Sequence, residues 1–112
     1  MKKIEVIIRP EKLELVRRSL EQAGCTGLMI SEIEGHGKQK GVIQQWRGEK
    51  YRVALLPKVK IEIITKDQDL EKIIKAIIDS ARTGEIGDGK IFIFPVDNVI
   101  RIRTGEKGEQ AI

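Results

Sequence analysis

Alternating apolar and polar residues divide much of the chain into short stretches with the two-residue period of β-strands. In the first of these stretches, Ile4, Val6 and Ile8 fall on one face. In the third, charged residues at every second position leave Val59 and Ile61 on the opposite face. The predicted strands are residues 2–9, 27–36, 57–65 and 91–94, with a last extended piece over residues 98–103.

Two further segments have the spacing of amphipathic helices. The first is predicted to begin at Pro10, a residue suited to a first helical turn, and to end at Gly24. The second can be capped by Thr65 or Asp67. Its apolar positions form a broad stripe made of Leu70, Ile73, Ile74, Ile77, Ile78 and Ala81.

The order of these elements is β-α-β-β-α-β, which predicts one α+β domain over residues 1–112 with ferredoxin-like topology, an antiparallel sheet with both helices on one face. Residues 105–112 are polar and are expected to form a mobile tail. Ile7 and Ile64 add apolar surface to the sheet face that the helices leave open. Because no chain remains to cover that face, the pattern predicts self-association.

Composition narrows the possible chemistry. The 112 residues include one His and one Cys. These are too few for a classical zinc site, and they leave a single candidate pair for a Cys-His nucleophile. No G-x-S-x-G frame accompanies His36, which argues against an ordinary hydrolytic enzyme. No apolar run approaches the roughly 18 residues of a membrane span, and the N-terminus lacks a secretory signal. The single Cys25 fits a reducing cytoplasm.

A long segment, residues 37–52, separates the second and third predicted strands and carries the whole formal net charge of +4. It contains the only Trp and the only Tyr, Trp46 and Tyr51, with Arg47 between them. Loops beyond about 12–15 residues are usually functional or disordered, and Trp, Tyr and Arg dominate interface hot spots. The segment therefore predicts a docking arm for another macromolecule, with a solvated hairpin as the alternative. Single-stranded nucleic acid is less favoured, since no strand carries a stacking platform.

The stretch TGEIGDGK, residues 83–90, contains the pattern G-x-x-x-x-G-K. Ile91 stands where a P-loop needs Ser or Thr, and here a helix precedes the loop and a strand follows it, the reverse of P-loop order. Two interpretations remain open: a plain turn, or a nest of backbone N–H groups that holds an anion, with Lys90 as a point charge. Arg101 and Arg103 are predicted to share one face of the last strand, which favours the anion site, although charges also protect edge strands.

The chain resembles the nitrogen-regulatory PII signal-transduction proteins along essentially its whole length. Residues 83–93 are similar to the second signature of that family, and the stretches PKVKIEI, VIRIRTGE and the terminal AI are similar to family sequence. The resemblance is specific, because several separated motifs occur at the same intervals as in the family. It implies a homotrimer of ferredoxin-like subunits, with clefts between neighbours in which ATP and ADP compete.

Carried onto this chain, the resemblance implies that a loop over residues 82–90 wraps the nucleotide phosphates. It places Arg101 and Arg103 in a C-terminal strand and tail, residues 101–112, from which they reach the phosphates bound by the neighbouring subunit. The implied nucleotide-binding residues are Ile7, Met29, Gly35, Lys38, Ile64, Gly87, Asp88, Gly89, Lys90, Arg101 and Arg103.

The resemblance also implies that 2-oxoglutarate binds only together with ATP, through a Mg²⁺ ion held by Gln39 and the phosphates. The implied 2-oxoglutarate-binding residues are Gln39, Lys40, Gly41, Lys58 and Gly87. Binding would change the shape of an effector loop over residues 37–55, which partners read. The implied protein is thus a non-enzymatic sensor of nitrogen, carbon and energy status.

The partner that the resemblance favours is an ammonium transporter, bound through Trp46, Arg47 and Tyr51, so that a cytoplasmic protein meets the membrane only through its partner. Tyr51 is also a candidate for uridylylation, although Trp46, Glu49 and Lys50 depart from the family signature around it. Two alternatives stay open. The same loop could regulate a metabolic enzyme or a transcription factor, or the protein could be a weak ATPase. No nucleic acid partner is expected.

Overall fold

The computed structural model describes residues 1–36, 43–46, 49–52 and 55–112, and for residues 43–46 and 49–52 the backbone alone. The strands and helices are β1 (Lys2–Ile8), α1 (Leu13–Gln22), β2 (Leu28–His36), β3 (Ile43–Trp46), β4 (Glu49–Arg52), β5 (Leu55–Thr65), α2 (Leu70–Ala81) and β6 (Lys90–Pro95). Short 3-10 helices cover Pro10–Lys12, Asp67–Asp69 and Gly108–Ala111.

Four strands form one antiparallel sheet in the order β2-β5-β1-β6. This order, with β1 and β5 in the centre and a helix after each of them, confirms the predicted α+β, ferredoxin-like fold. The strand β5 begins at Leu55, two residues before the predicted start. The strands β3 and β4 form a separate two-stranded sheet inside the long segment, with Trp46 opposite Glu49.

The hydrophobic core lies between the sheet and the two helices. Every second residue of β1 and β5 points into it, as the alternation predicted, and Val16 and Leu20 of α1 and Ile73 and Ile77 of α2 meet them. The largest fully buried side chains are Ile4, Val6, Ile8, Val16, Leu20, Ile61, Ile63 and Ile77. Close packing of this kind fixes where each strand ends, and the loops described below start from those ends.

The predicted end of α1 is confirmed, and the predicted caps of α2 are wrong. Gly24 has a φ of 85° and its N–H donates to the Glu21 carbonyl, as expected for a glycine after a helix. Thr65 instead turns its hydroxyl to the Lys66 carbonyl. The Asp67 carboxylate lies 3.1 Å from the amino group of Met1. This neighbouring positive charge draws Asp67 away from the helix N–H groups, because an ionised partner is the stronger one.

The sheet face that the helices leave open is more polar than the sequence analysis assumed. Lys3 lies 3.7 Å from Glu5 and 3.5 Å from Glu62, and Lys60 lies 3.7 Å from Glu5 and 3.2 Å from Glu62. These four residues alternate in charge and form a closed ring, the charge ring, at the centre of the face. Apolar residues at both edges of that face remain exposed, namely Met29, Phe92 and Phe94.

The predicted last strand, residues 98–103, is not a strand. Ile100 makes only an isolated bridge with Lys107, and residues 102–104 form a turn. The reason is local: the Gly105 N–H donates to the Arg101 carbonyl, and the Arg101 N–H donates to the Glu106 carbonyl at 2.9 Å. The chain therefore pairs with itself and not with the edge of the sheet. Within the predicted tail, Gly108–Ala111 forms a 3-10 helix.

None of the helices that the structure describes is both long enough and apolar enough to cross a membrane.

Candidate functional site

The glycine-rich stretch forms a loop between α2 and β6 that is tied together by one carboxylate. Asp88 accepts hydrogen bonds from the N–H groups of Thr83 at 2.8 Å and Gly84 at 2.9 Å, and from the Thr83 hydroxyl at 2.5 Å. Gly84, Gly87 and Gly89 have φ values of 91°, 107° and 101°, a region that side chains other than glycine rarely adopt. The loop is thus a compact closed turn whose shape depends on Asp88.

Gly89 is required by a close approach between two backbone segments. A Cβ atom at this position would lie 1.7 Å from the carbonyl oxygen of Ile7 at the end of β1. No side chain fits at that distance, so the loop is pressed against β1 where β6 begins. The same contact brings Lys90, the first residue of β6, beside the glycine turn.

Arg9, one residue beyond β1, fastens the loop from outside. Its Nε donates to Oδ1 of Asp88 at 3.1 Å and its Nη2 donates to the Ile86 carbonyl at 2.9 Å. Burial of the Asp88 carboxyl acts to raise its pKa, but the hydrogen bonds from Thr83, Gly84 and Arg9 outweigh burial and lower that pKa far below the ordinary value. Asp88 therefore stays ionised at any physiological pH.

Lys58 is a second cation that contacts the loop. Its Nζ donates to the Gly87 carbonyl at 2.8 Å. Burial, and next the positive charge of Arg9, lower the pKa of Lys58 from its ordinary value. Two cations thus lie close to each other beside the glycine turn, with the carboxylates of Glu11 and Asp88 also near Lys58. An incoming anion would relieve their mutual repulsion.

These elements surround an open cavity of about 620 Å³. It collects seven residues that the sequence analysis assigned to the ligands, from four strands and the glycine loop: Ile7, Gly35, Lys58, Gly87, Asp88, Gly89 and Lys90. The cavity is also lined by residues that the sequence had not assigned to a ligand, namely His36, Leu56, Glu85, Ile86 and Phe92. Glycine backbone and two lysines at one end, with apolar side chains around them, suit a ligand that has both an anionic and an apolar part.

The structure does not bring all the predicted ligand residues together. Met29 and Ile64 line a second cavity, of about 430 Å³, beside Cys25 and the C-terminal Ile112. Within one chain the predicted nucleotide site is therefore divided between two separate cavities.

Arg101 and Arg103 lie outside the lining of both cavities and do not share a strand face, because residues 102–104 form a turn. Arg101 donates through Nη1 to Oε1 of Glu106 at 2.9 Å and through Nη2 to the Gln110 carbonyl at 3.2 Å. Arg103 is exposed. The C-terminal turn thus holds the Arg101 guanidinium in one orientation and presents Arg103 to solvent.

Several predicted residues lie outside the described part of the chain: Lys38, Gln39, Lys40, Gly41 and Arg47. For Trp46 and Tyr51 the structure gives the backbone positions in β3 and β4. The predicted Mg²⁺ ligand, Gln39, is among the residues not described. Within the ranges that are described, no group of three or more His, Cys, Asp or Glu side chains could hold a metal ion.

Sequence reasoning missed Arg9 and Thr83 as parts of the site. Arg9 is separated from Asp88 by 79 positions along the chain, so no local pattern connects them. The only signal was its place directly after the alternating residues of β1, where a charged side chain at a strand end can turn toward a neighbouring loop.

The candidate site is thus a glycine-lined cavity, with Lys58 and Lys90 in its lining, on an antiparallel sheet of ferredoxin-like topology. The family described as "Nitrogen regulatory protein P-II" matches residues 1–106, and the chain belongs to it. It is 54% identical over 112 residues to "Nitrogen regulatory protein P-II 2" of Methanothermobacter thermautotrophicus, covering all of this chain and 97% of that protein. It is also 54% identical to "Nitrogen regulatory protein P-II" of Pasteurella multocida and 53% identical to that of Nostoc punctiforme, each over the full length of both chains.

Proposed function

We propose that the protein is a homotrimeric sensor that binds ATP or ADP and, with Mg-ATP, 2-oxoglutarate, and that it regulates its targets through residues 37–55. The observation that carries the proposal is the cavity in which the glycine turn, Lys58 and Lys90 meet. Backbone N–H groups in a glycine turn and ammonium groups beside it are the usual means of binding phosphate. In this site Gly87, Asp88, Gly89 and Lys90 would wrap the phosphates.

The division of the predicted residues between two cavities supports a site formed by two subunits. In this arrangement Ile7 and Gly35 of one chain would enclose the nucleotide with Met29 and Ile64 of the next. Arg101 and Arg103 would approach the phosphates from that second chain, with Lys38 completing the site. The open sheet face, with its charge ring and exposed Phe92 and Phe94, offers the surface on which the subunits would associate.

For 2-oxoglutarate, Lys58 offers the cation that a carboxylate needs, and Gly87 lies beside it. Gln39, Lys40 and Gly41 would complete the site, and Gln39 would hold a Mg²⁺ ion together with the phosphates, which would make 2-oxoglutarate binding depend on ATP. Because β2 and β5 lead directly into the long segment, ligand contacts at Gly35 and Lys58 can be passed to residues 37–55. The partner would then recognise Trp46, Arg47 and Tyr51, and Tyr51 would be the site of uridylylation.

The favoured target is an ammonium transporter, which would recruit a cytoplasmic protein to the membrane. The names of the relatives, which are regulatory, agree with a protein that is not an enzyme. Asp88, the carboxylate that ties the glycine turn together, is a poor general base for ATP hydrolysis, because its lowered pKa makes it reluctant to accept a proton. This argues for binding without efficient turnover.

Calorimetry tests the proposal. Wild-type protein should bind Mg-ATP, and 2-oxoglutarate should release heat only after Mg-ATP has bound, while Lys90→Ala should lose most of its ATP affinity. Glu109→Gln, on an exposed position of the C-terminal 3-10 helix, is the control. Absence of ATP binding by the wild type would refute the sensor function.

Two further measurements test the assembly and the partner. Light scattering at micromolar concentration should give a trimer, and a monomer would contradict the two-subunit site. Membranes that contain an ammonium transporter should recruit the wild type but not Arg47→Ala. Recruitment that is unchanged in this variant, or capture of a metabolic enzyme or transcription factor in its place, would redirect the search for the target.

A further inference from the structure

We propose that Arg9 is a positioning residue of the ligand site: by holding Asp88 and the Ile86 carbonyl, it fixes the shape of the glycine turn that presents Gly87, Gly89 and Lys90 to an anion. The inference rests on the proposed function, because it concerns the affinity of the same site. It adds a residue from the far end of the chain that touches the loop and not the ligand.

The contacts of Arg9 are directed at two different points of the loop. Nε reaches the Asp88 carboxylate at 3.1 Å and Nη2 reaches the Ile86 carbonyl at 2.9 Å. Asp88 in turn holds the N–H groups of Thr83 and Gly84. One guanidinium therefore connects both ends of the turn to the end of β1, whose position is fixed by the core residues Val6 and Ile8.

Arg9 does not line the cavity that would hold the proposed ligand. Its side chain is only 13% exposed. It lines a small separate recess with Pro10, Glu11, Leu56, Pro57 and Lys58, and it is absent from the lining of the cavity of about 620 Å³. Lys58 lies between the two spaces and contributes to both linings. Apart from the field of its charge, Arg9 can therefore affect binding in the large cavity only through the loop or through Lys58.

The glycine turn needs such a support because of its own composition. Three of its residues are glycines with positive φ, and glycine loses more conformational freedom on ordering than any other residue. A loop that is already held in its binding shape avoids that entropic cost when the ligand arrives. Arg9 is suited to the task, because its planar fork can donate to two acceptors at once, whereas a lysine offers a single ammonium.

The test compares Arg9→Gln and Arg9→Lys with wild type in the full chain, using Mg-ATP as the ligand in calorimetry. Arg9→Gln should weaken ATP binding by roughly tenfold, as expected for the loss of hydrogen bonds to a charged group. Arg9→Lys should recover only a small part of that loss, because it keeps the charge but not the fork. Arg17→Gln is the matched control: Arg17 also contacts two acceptors, Glu14 and Glu21, but on the exposed face of α1.

A double-mutant cycle tests whether Arg9 acts through Asp88. The combined Arg9→Gln and Asp88→Asn variant should bind ATP about as weakly as the weaker single variant, because both changes break the same connection. Additive losses, or unchanged affinity in Arg9→Gln, would overturn the proposal.

Hydrogen exchange of the Thr83 and Gly84 amides separates this inference from the proposed function, because it needs no ligand. Exchange at these amides should be faster in Arg9→Gln than in wild type, whereas the core strands β1 and β5 should exchange as before. Unchanged exchange would overturn the positioning role. Failure of the wild type to bind ATP would instead overturn the proposed function, and accelerated exchange would still establish that Arg9 holds the loop.

Discussion

The side chain of Lys58 lies across Gly35, so that a Cβ atom at position 35 would be 2.9 Å from Lys58 Cγ. The two residues lie on the adjacent strands β5 and β2. The absence of a side chain at Gly35 thus gives the Lys58 stem the path along which its ammonium reaches the Gly87 carbonyl. The position of a proposed ligand-binding cation is set by a residue that has no functional group.

Gly35→Ala should therefore weaken 2-oxoglutarate binding in the presence of Mg-ATP by several fold, with little loss of stability. The Lys58 side chain is flexible and can move aside, but in moving it would lose the Gly87 carbonyl. Calorimetry measures the effect. Gly27→Ala is the control, since a Cβ there meets nothing within 4 Å. Equal affinities for the two variants would show that the path of Lys58 does not matter.

Gly89→Ala should damage the site more severely than any other alanine substitution in the glycine turn. The new Cβ would be 1.7 Å from the Ile7 carbonyl oxygen and φ is 101°, so the backbone itself must move. We expect a loss of roughly 1–3 kcal/mol in the free energy of unfolding, as for a residue forced into a rare backbone region, together with loss of ATP binding. Urea unfolding and calorimetry measure the two effects.

Gly84→Ala is the matched control for that prediction. Gly84 has a similar φ of 91°, but a Cβ there meets nothing within 4 Å. It should show the cost of the backbone conformation alone, without the collision. A Gly89→Ala protein that is no less stable than Gly84→Ala would contradict the close approach of the loop to β1.

The stability of the protein in acid should depend in part on Asp88. Its pKa in the folded protein is below the ordinary value, about 3.9 for an unfolded Asp. The carboxylate therefore stabilises the fold fully above that unfolded pKa, and this contribution is lost as the pH falls below about 4 toward the folded pKa. Asp88→Asn should be less stable than wild type at pH 7, and the difference should shrink between pH 4 and pH 2.

Urea unfolding at a series of pH values checks this prediction. Asp97→Asn, at an exposed position after β6, serves as the control. A difference between wild type and Asp88→Asn that stays constant down to pH 2 would mean that the hydrogen bonds to the Asp88 carboxylate do not stabilise the fold.

Glu106 should affect nucleotide binding through Arg101. Its Oε1 accepts hydrogen bonds from Arg101 Nη1 and from the Thr104 hydroxyl, each at 2.9 Å, so it holds the guanidinium in place. Glu106→Gln should weaken ATP binding by a few fold, because a neutral amide holds the Arg101 fork less firmly than a carboxylate. Calorimetry against Glu109→Gln measures the effect. Tighter binding in Glu106→Gln would mean that Glu106 competes with the phosphates for Arg101.

Much of the fold could be predicted because it follows from local patterns. Ile4, Val6 and Ile8 alternate with polar residues, and Ile73, Ile77 and Ala81 recur at helical spacing, so the burial of both sets was evident from the chain. For residues 98–103 the local pattern gave a wrong prediction of a strand. They alternate in the manner of a strand, but Gly105 allows the chain to turn back at Arg101, and hydrogen bonds across that turn replaced pairing with the sheet.

In the candidate site, too, local patterns predicted some features and the tertiary structure decided the others. The sequence by itself determined the two-residue period of β1 and β5, the helical stripes and the glycines that a tight turn requires, because each depends on neighbours a few positions apart. Only the tertiary structure decided that Arg9 fastens Asp88 across 79 positions and that Lys58 crosses Gly35. Those contacts depend on which strand ends meet, and strand order is set by packing of the whole core, which no local pattern records.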